Sequence, residues 1–114
     1  MTQNRNKLIQ LFIGNVVNVV VHRILERATQ EEILRKRYDK ESLVSFNVAQ
    51  RYRNNIHPVQ RELPEHDKAK IREEVIRRVK NELHIRISKE YKGINLQNLE
   101  STVDKVLQEL LVGS

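Results

Sequence analysis

The sequence predicts an all-α fold: a compact bundle of four to five helices around a central apolar N-terminal helix, in one domain over residues 1–114. Three observations lead there. Only three glycines and two prolines interrupt the chain, too few for the closely spaced turns of a sandwich or barrel. Apolar residues recur at three- and four-residue spacing through each long segment. An apolar fraction of 39% beside a charged fraction of 32% suits a folded core under a charged exterior better than a disordered chain.

The first helix is expected over about Asn4–Ala28. Ile9, Phe12, Ile13, Val16, Val17, Val19, Val20, Val21 and Ile24 cover more than half of its circumference at 100° per residue. A helix apolar on so many sides is surrounded. Its valines lower intrinsic helix propensity, so packing must supply the stability. Thr29-Gln30-Glu31-Glu32 reads as a capping box, with Thr29 as N-cap and Glu32 reaching back. It either starts a short second helix over about Gln30–Tyr38 or sits inside one long helix continuing from the first, and a break is the reading taken. A third helix follows over about Glu41–Asn55. Pro58 and Pro64 bracket a loop, because the residue before proline is pushed from helical geometry.

A fourth helix is expected over about Glu65–Tyr91. Its apolar ladder, Ile71, Val75, Val79, Leu83, Ile87 and Tyr91, repeats every four residues and drifts about 40° per step. One flat neighbour cannot cover such a spiral, which predicts a second contact surface and a homo-oligomer, most simply a homodimer. Within this helix, His84–Ser88 alternates and also fits a short strand. Gly93 supplies a stop. Asn95 or Asn98 caps a last helix to about Val112, with Leu96, Leu99, Val103, Val106, Leu107, Leu110 and Leu111 as its stripe.

The absence of cysteine excludes disulfides, thiolate nucleophiles and cysteine-based metal sites. His22, His57, His66 and His84 form no HxxxH or HExxH pair, so no metal is expected. Glycine-rich phosphate loops are missing, so no nucleotide cofactor is expected either. The apolar run Leu8–Val21 is broken by Gln10, Asn15 and Asn18 and is short for a bilayer. With no signal-peptide pattern, the reading is no membrane association and a cytoplasmic location.

The net charge of +6 is uneven. Residues 1–61 hold eleven Lys/Arg against five Asp/Glu, whereas residues 62–114 hold ten of each. Arg35, Lys36, Arg37, Lys40, Arg51, Arg53 and Arg61 crowd one segment against Asp39 and Glu41. Such a concentration is the footprint of a polyanion partner. Only 4% of residues are aromatic, which leaves little for base stacking and favours phosphate contacts on a duplex or structured RNA. No helix-turn-helix spacing stands out.

Two polar clusters are candidates for chemistry. Asn15, Asn18 and His22 share an arc of about 60° on the first helix. They form either a polar edge with His22 as proton carrier or that helix's solvent side. The second cluster is Arg51-Tyr52-Arg53-Asn54-Asn55-Ile56-His57. Arginine, a short spacer and histidine in this order resemble the motif of the HEPN family of helical ribonucleases. The resemblance covers these seven positions alone. It implies metal-independent RNA cleavage, with His57 as base, Arg51 or Arg53 on the phosphorane and Asn54 orienting the 2′-hydroxyl. Tyr52 departs from the polar residue usual after the arginine, and Arg53 stands one residue too close to His57.

The reading is therefore a small basic binding protein, not an enzyme, contacting nucleic-acid phosphates through residues 35–61. A protein–protein assembly module and a HEPN-like ribonuclease are the alternatives.

Overall fold

The computed structural model describes residues 2–59, 61–89 and 96–112. Within them lie four α-helices and no strand: α1 (Thr2–Ala28), α2 (Glu32–Asn54), α3 (Glu65–Lys89) and α4 (Leu99–Leu107). A 3₁₀ turn, Leu96–Asn98, leads into α4, and a π-helical turn, Gln108–Val112, continues it. The all-α bundle and its apolar N-terminal helix follow the sequence expectation.

α1 is the centre. Phe12, Val16, Val19, Val20 and Leu25 are fully buried, and Ile13, Val17, Val21 and Ile24 nearly so. α2, α3 and α4 all pack against it, which offsets the weak propensity of its valines. The 24-residue stretch Arg5–Ala28 has the length and hydropathy (1.7) of a membrane span. Length alone therefore does not argue against a bilayer; here the bundle buries half of that helix's apolar window.

α1 ends as the Thr29 amide bonds to the Leu25 carbonyl at 3.1 Å. The capping box expected at Thr29 does not form. The Thr29 hydroxyl accepts the Glu31 amide at 3.3 Å, a local turn that competes with capping. Helix α2 then starts at Glu32, with no side-chain cap on its first turn. It runs without interruption through Tyr38–Glu41, so the expected second and third helices are one. Its buried face is Tyr38, Ser42, Ala49 and Arg53.

The loop between α2 and α3 is fixed to the bundle. Ile56 and Leu63 plug the core at 0% and 2% exposure. Arg53 donates from Nη1 to the Ile56 carbonyl at 3.1 Å and from Nη2 to the Arg61 carbonyl. Arg5 of α1 donates from Nε to the His57 carbonyl at 2.9 Å.

α3 then runs along α1, with Asp67 at Arg5 and the Arg78 side chain beside Gly14. Ile71, Val75, Val79 and Leu83 are all buried. The described part of the spiral ladder is covered inside the chain, where α3 packs on α1 and α4, and does not argue for a second copy. The ladder's last members, Ile87 and Tyr91, and the Gly93 stop lie outside the described residues or side chains. His84–Ser88 is helical. Leu99, Val103, Val106 and Leu107 of α4, with Leu110 and Leu111 of the π-helical turn, close the core. Asn98 serves through its carbonyl, accepting from the Ser101 and Thr102 hydroxyls at 3.2 and 2.8 Å, with no side-chain cap bond.

Candidate nucleic-acid interface

One consequence of a continuous α2 is a register that the separate helices concealed. Ile33, Arg37, Lys40, Val44, Asn47 and Arg51 follow one another at intervals of four, three, four, three and four residues. At 100° per residue all six fall within about 40° of a single line along the helix. All six are exposed. Lys36 and Leu43, also exposed, border the line on one side. Among the described residues α2 packs on α1 and touches the Gln108–Val112 turn, without reaching α3. The stripe is thus the outward face of an edge helix.

No carboxylate lies on this stripe. Glu32 sits to one side, 3.6 Å from Lys36, with both side chains about three-quarters exposed or more. Glu41 sits to the other side and turns inward, where its Oε2 lies 2.9 Å from His22 Nε2. On α3, by contrast, Lys68, Arg72, Arg77 and Arg86 all pair with acids. The bond to Glu65 raises the Lys68 ammonium above its usual range, and the bond to Asp104 does the same for Arg72. These four cations have local partners, whereas Arg37, Lys40 and Arg51, like Lys70 and Lys80 of α3, are exposed and form no ion pair among the described residues.

The basic segment read from sequence accordingly divides. Lys36, Arg37, Lys40 and Arg51 stay together on the outward face. Arg35 points to the other side of α2, into a cleft of about 500 Å³ with Glu26, Gln30, Glu32, Lys36 and Asp39. Arg53 is 7% exposed, and its guanidinium is committed to loop carbonyls. Burial lowers its pKa from the ordinary arginine value. Arg61 is an exposed loop residue whose carbonyl accepts from Arg53. Val44 and Asn47 escaped the sequence reading, because the segment was read by proximity along the chain. The four-three spacing through residues 33–51 is the signal that reveals them.

The motif resembling HEPN ribonucleases is also split. Arg51 lies on the outward stripe, Arg53 on the buried side, and Asn54 and His57 are exposed. Asn55 donates from Nδ2 to the Arg51 carbonyl at 2.9 Å, an ordinary helix-end contact. The described arrangement does not bring the two arginines to one side of α2.

Of the Asn15–Asn18–His22 arc on α1 only Asn18 is exposed, with Asn15 and His22 half-buried. Asn15 donates to its own helix at the Leu11 carbonyl, 2.9 Å away. His22 Nδ1 lies 2.7 Å from the Asn18 carbonyl, and its ring is 5.9 Å from Tyr38. The carboxylate partner of His22 comes from α2.

A second cleft, about 600 Å³, lies between α1, α2 and the C-terminal turns. There Arg23 pairs with Glu109 at 3.2 Å and stacks over Phe46 at 5.8 Å, while Arg27 donates to the Thr102 hydroxyl at 3.1 Å. Its cations Arg23, Arg27 and Lys105 are balanced by Glu26, Asp39 and Glu109, so its charge favours no class of ligand. No protein-family model, curated protein or solved structure matches the chain.

Proposed function

We propose that the protein binds the phosphates of duplex nucleic acid through the outward face of α2, with Lys36, Arg37, Lys40 and Arg51 as the contacting cations. The observation that carries this reading is the acid-free line of Arg37, Lys40 and Arg51, flanked by Lys36 with its exposed partner Glu32. It is set against Lys68, Arg72, Arg77 and Arg86 of α3, which are all ion-paired. Paired surface charges largely neutralise each other, whereas a run of unpaired cations projects a field that attracts a polyanion. Contacting phosphates would release condensed counterions, so binding must weaken as salt rises.

The test is a salt titration of duplex binding. The slope of log K against log salt should be about −0.9 for each phosphate neutralised. Arg37→Ala with Arg51→Ala should flatten it by up to about two units. The same double change at Lys70 and Lys80, exposed on α3, should do much less. No binding at low salt, or an equal effect from the α3 pair, overturns the assignment.

One observation favours a protein partner as the second reading. Ile33, Leu43 and Val44 are 77%, 60% and 56% exposed on the same helix, an unusual concentration of aliphatic surface. An acidic partner would suit the neighbouring cations. A second copy meeting this face about a twofold axis would set cation against cation, which disfavours self-association here.

A further inference from the structure

We infer that α2 lies in the major groove of B-form DNA, with its uncharged middle against base edges and its charged ends on the phosphates. This rests on the phosphate-binding reading of the same face and goes further, because phosphate contact alone leaves half of the stripe without a purpose. Phosphates are recognised by Arg37, Lys40 and Arg51. Between the cations stand Leu43, Val44 and Asn47, two aliphatic side chains and one amide, all exposed.

Their order along the helix is the main argument. Arg37 and Arg51 are separated by fourteen residues, about 21 Å at 1.5 Å per residue. A straight helix set into a groove that curves around the duplex comes closest to the bases at its middle. Its ends swing outward to the sugar–phosphate walls. From Arg37 to Arg51 the stripe has the matching chemistry, with cations toward both ends and uncharged groups between them, while Ile33 lies one turn beyond Arg37. Val44 and Leu43 suit thymine methyl groups, and an asparagine amide at Asn47 suits the N6 and N7 edge of adenine. The exposed aliphatic surface would then be buried on binding, which is favourable in proportion to its area.

Shape selects between duplexes. A helix with its side chains is about 10–12 Å across, and the B-DNA major groove is about 12 Å wide. α2 offers its outer side without obstruction, since α3 does not reach it. The major groove of A-form RNA is too deep and narrow for such an approach. The same face therefore separates DNA from RNA duplexes by geometry, not by charge.

The experiment compares wild-type binding to three short duplexes of one sequence, read by fluorescence anisotropy at low salt. One is plain DNA. The second is the same DNA with its cytosines replaced by glucosylated hydroxymethylcytosine, which fills the major groove and leaves the phosphates untouched. The third is the RNA duplex. Plain DNA should bind about tenfold more tightly than either of the others, the scale of one good base contact. Asn47→Ala should erase a preference for A·T over G·C at the centre of the site without changing the salt slope. Equal affinity for all three duplexes, with a steep salt slope, overturns the groove placement and leaves phosphate binding intact. A preference unchanged in Asn47→Ala overturns the placement of the helix middle on the bases. No binding to any duplex overturns the face as a nucleic-acid site, and capture of an acidic helical peptide in its place assigns it to a protein.

Discussion

Arg51 and Arg53 stand two positions apart on α2 and end on opposite sides of it. Arg51 is in solvent, while Arg53 is 7% exposed and donates to the Ile56, Pro58 and Arg61 carbonyls. Two steps of 100° separate them by about 160° around the helix. Identical side chains thus acquire different roles: one belongs to a surface, and the other holds the α2–α3 loop against the bundle.

The first prediction compares their removal. Arg53→Ala leaves loop carbonyls without their donor, and buried acceptors in that state cost free energy. Urea unfolding should show a loss of roughly 2 kcal/mol. Arg51→Ala should stay within about 0.5 kcal/mol of wild type. Equal losses from the two changes would show that the loop does not depend on Arg53.

A second prediction concerns the other arginine that grips this loop. Arg5 bonds both the His57 carbonyl and Asp67, the latter at 2.7 Å with side chains only 31% and 20% exposed. A double-mutant cycle on Arg5 and Asp67 should give a coupling near 1 kcal/mol. The Lys36–Glu32 pair, far more exposed, should give about 0.3 kcal/mol. A larger coupling in the exposed pair would contradict the role of burial.

These contrasts mark what the sequence could show. α1 and α4 were legible because Phe12, Val16, Val20, Leu99, Val103 and Leu107 advertise their buried faces by hydrophobicity and period. α2 was read as two helices because its fully inward positions, Tyr38, Ser42, Ala49 and Arg53, mix apolar and polar side chains, while Leu34, Phe46 and Tyr52 pack on the core only in part. The apolar period is weak across Asp39–Ser45, where Ser42 and Ser45 take positions between Tyr38 and Ala49. The charged run Asp39-Lys40-Glu41 separates the two stretches read as helices. The His22–Glu41 pair joins residues nineteen positions apart, and no local rule links them. Separating Arg51 from Arg53 needed only the register of the expected third helix, which holds both, whereas aligning Arg51 with Ile33 and Arg37 needed α2 to be continuous.

The third prediction uses pH. A hydrogen bond from Arg77, three residues along α3, lowers the Glu74 carboxyl below its ordinary value. A folded-state pKa below the unfolded one stabilises the fold above the ordinary carboxylate range, and that contribution disappears as pH falls through the folded value. In Arg77→Ala the Glu74 carboxyl should titrate higher by NMR, and the acid limb of the stability curve should become shallower. Partial exposure of both side chains keeps the effect on stability small. An unchanged Glu74 titration would remove Arg77 as the cause.

The last prediction asks what holds α4. A nine-residue helix is too short to persist alone in water, so its attachments decide its stability. One attachment is polar: Arg72 of α3 donates from Nε to Asp104 Oδ1 at 2.6 Å and from Nη2 to Oδ2 at 3.2 Å, with Glu100 3.3 Å away. The other is the apolar face headed by Leu99, fully buried. The arginine fork is geometrically specific, and a lysine cannot reproduce both bonds. It is nevertheless partly exposed, where ion pairs contribute up to about 1 kcal/mol. Arg72→Ala should therefore speed amide hydrogen exchange across Leu99–Leu107 by no more than about fivefold. Arg72→Lys should recover only part of that protection. Leu99→Ala should cost about 2–5 kcal/mol through lost burial and the cavity left behind. The ratio between the two changes carries the argument: if Arg72→Ala deprotects α4 as strongly as Leu99→Ala, the fork and not the apolar face anchors the helix.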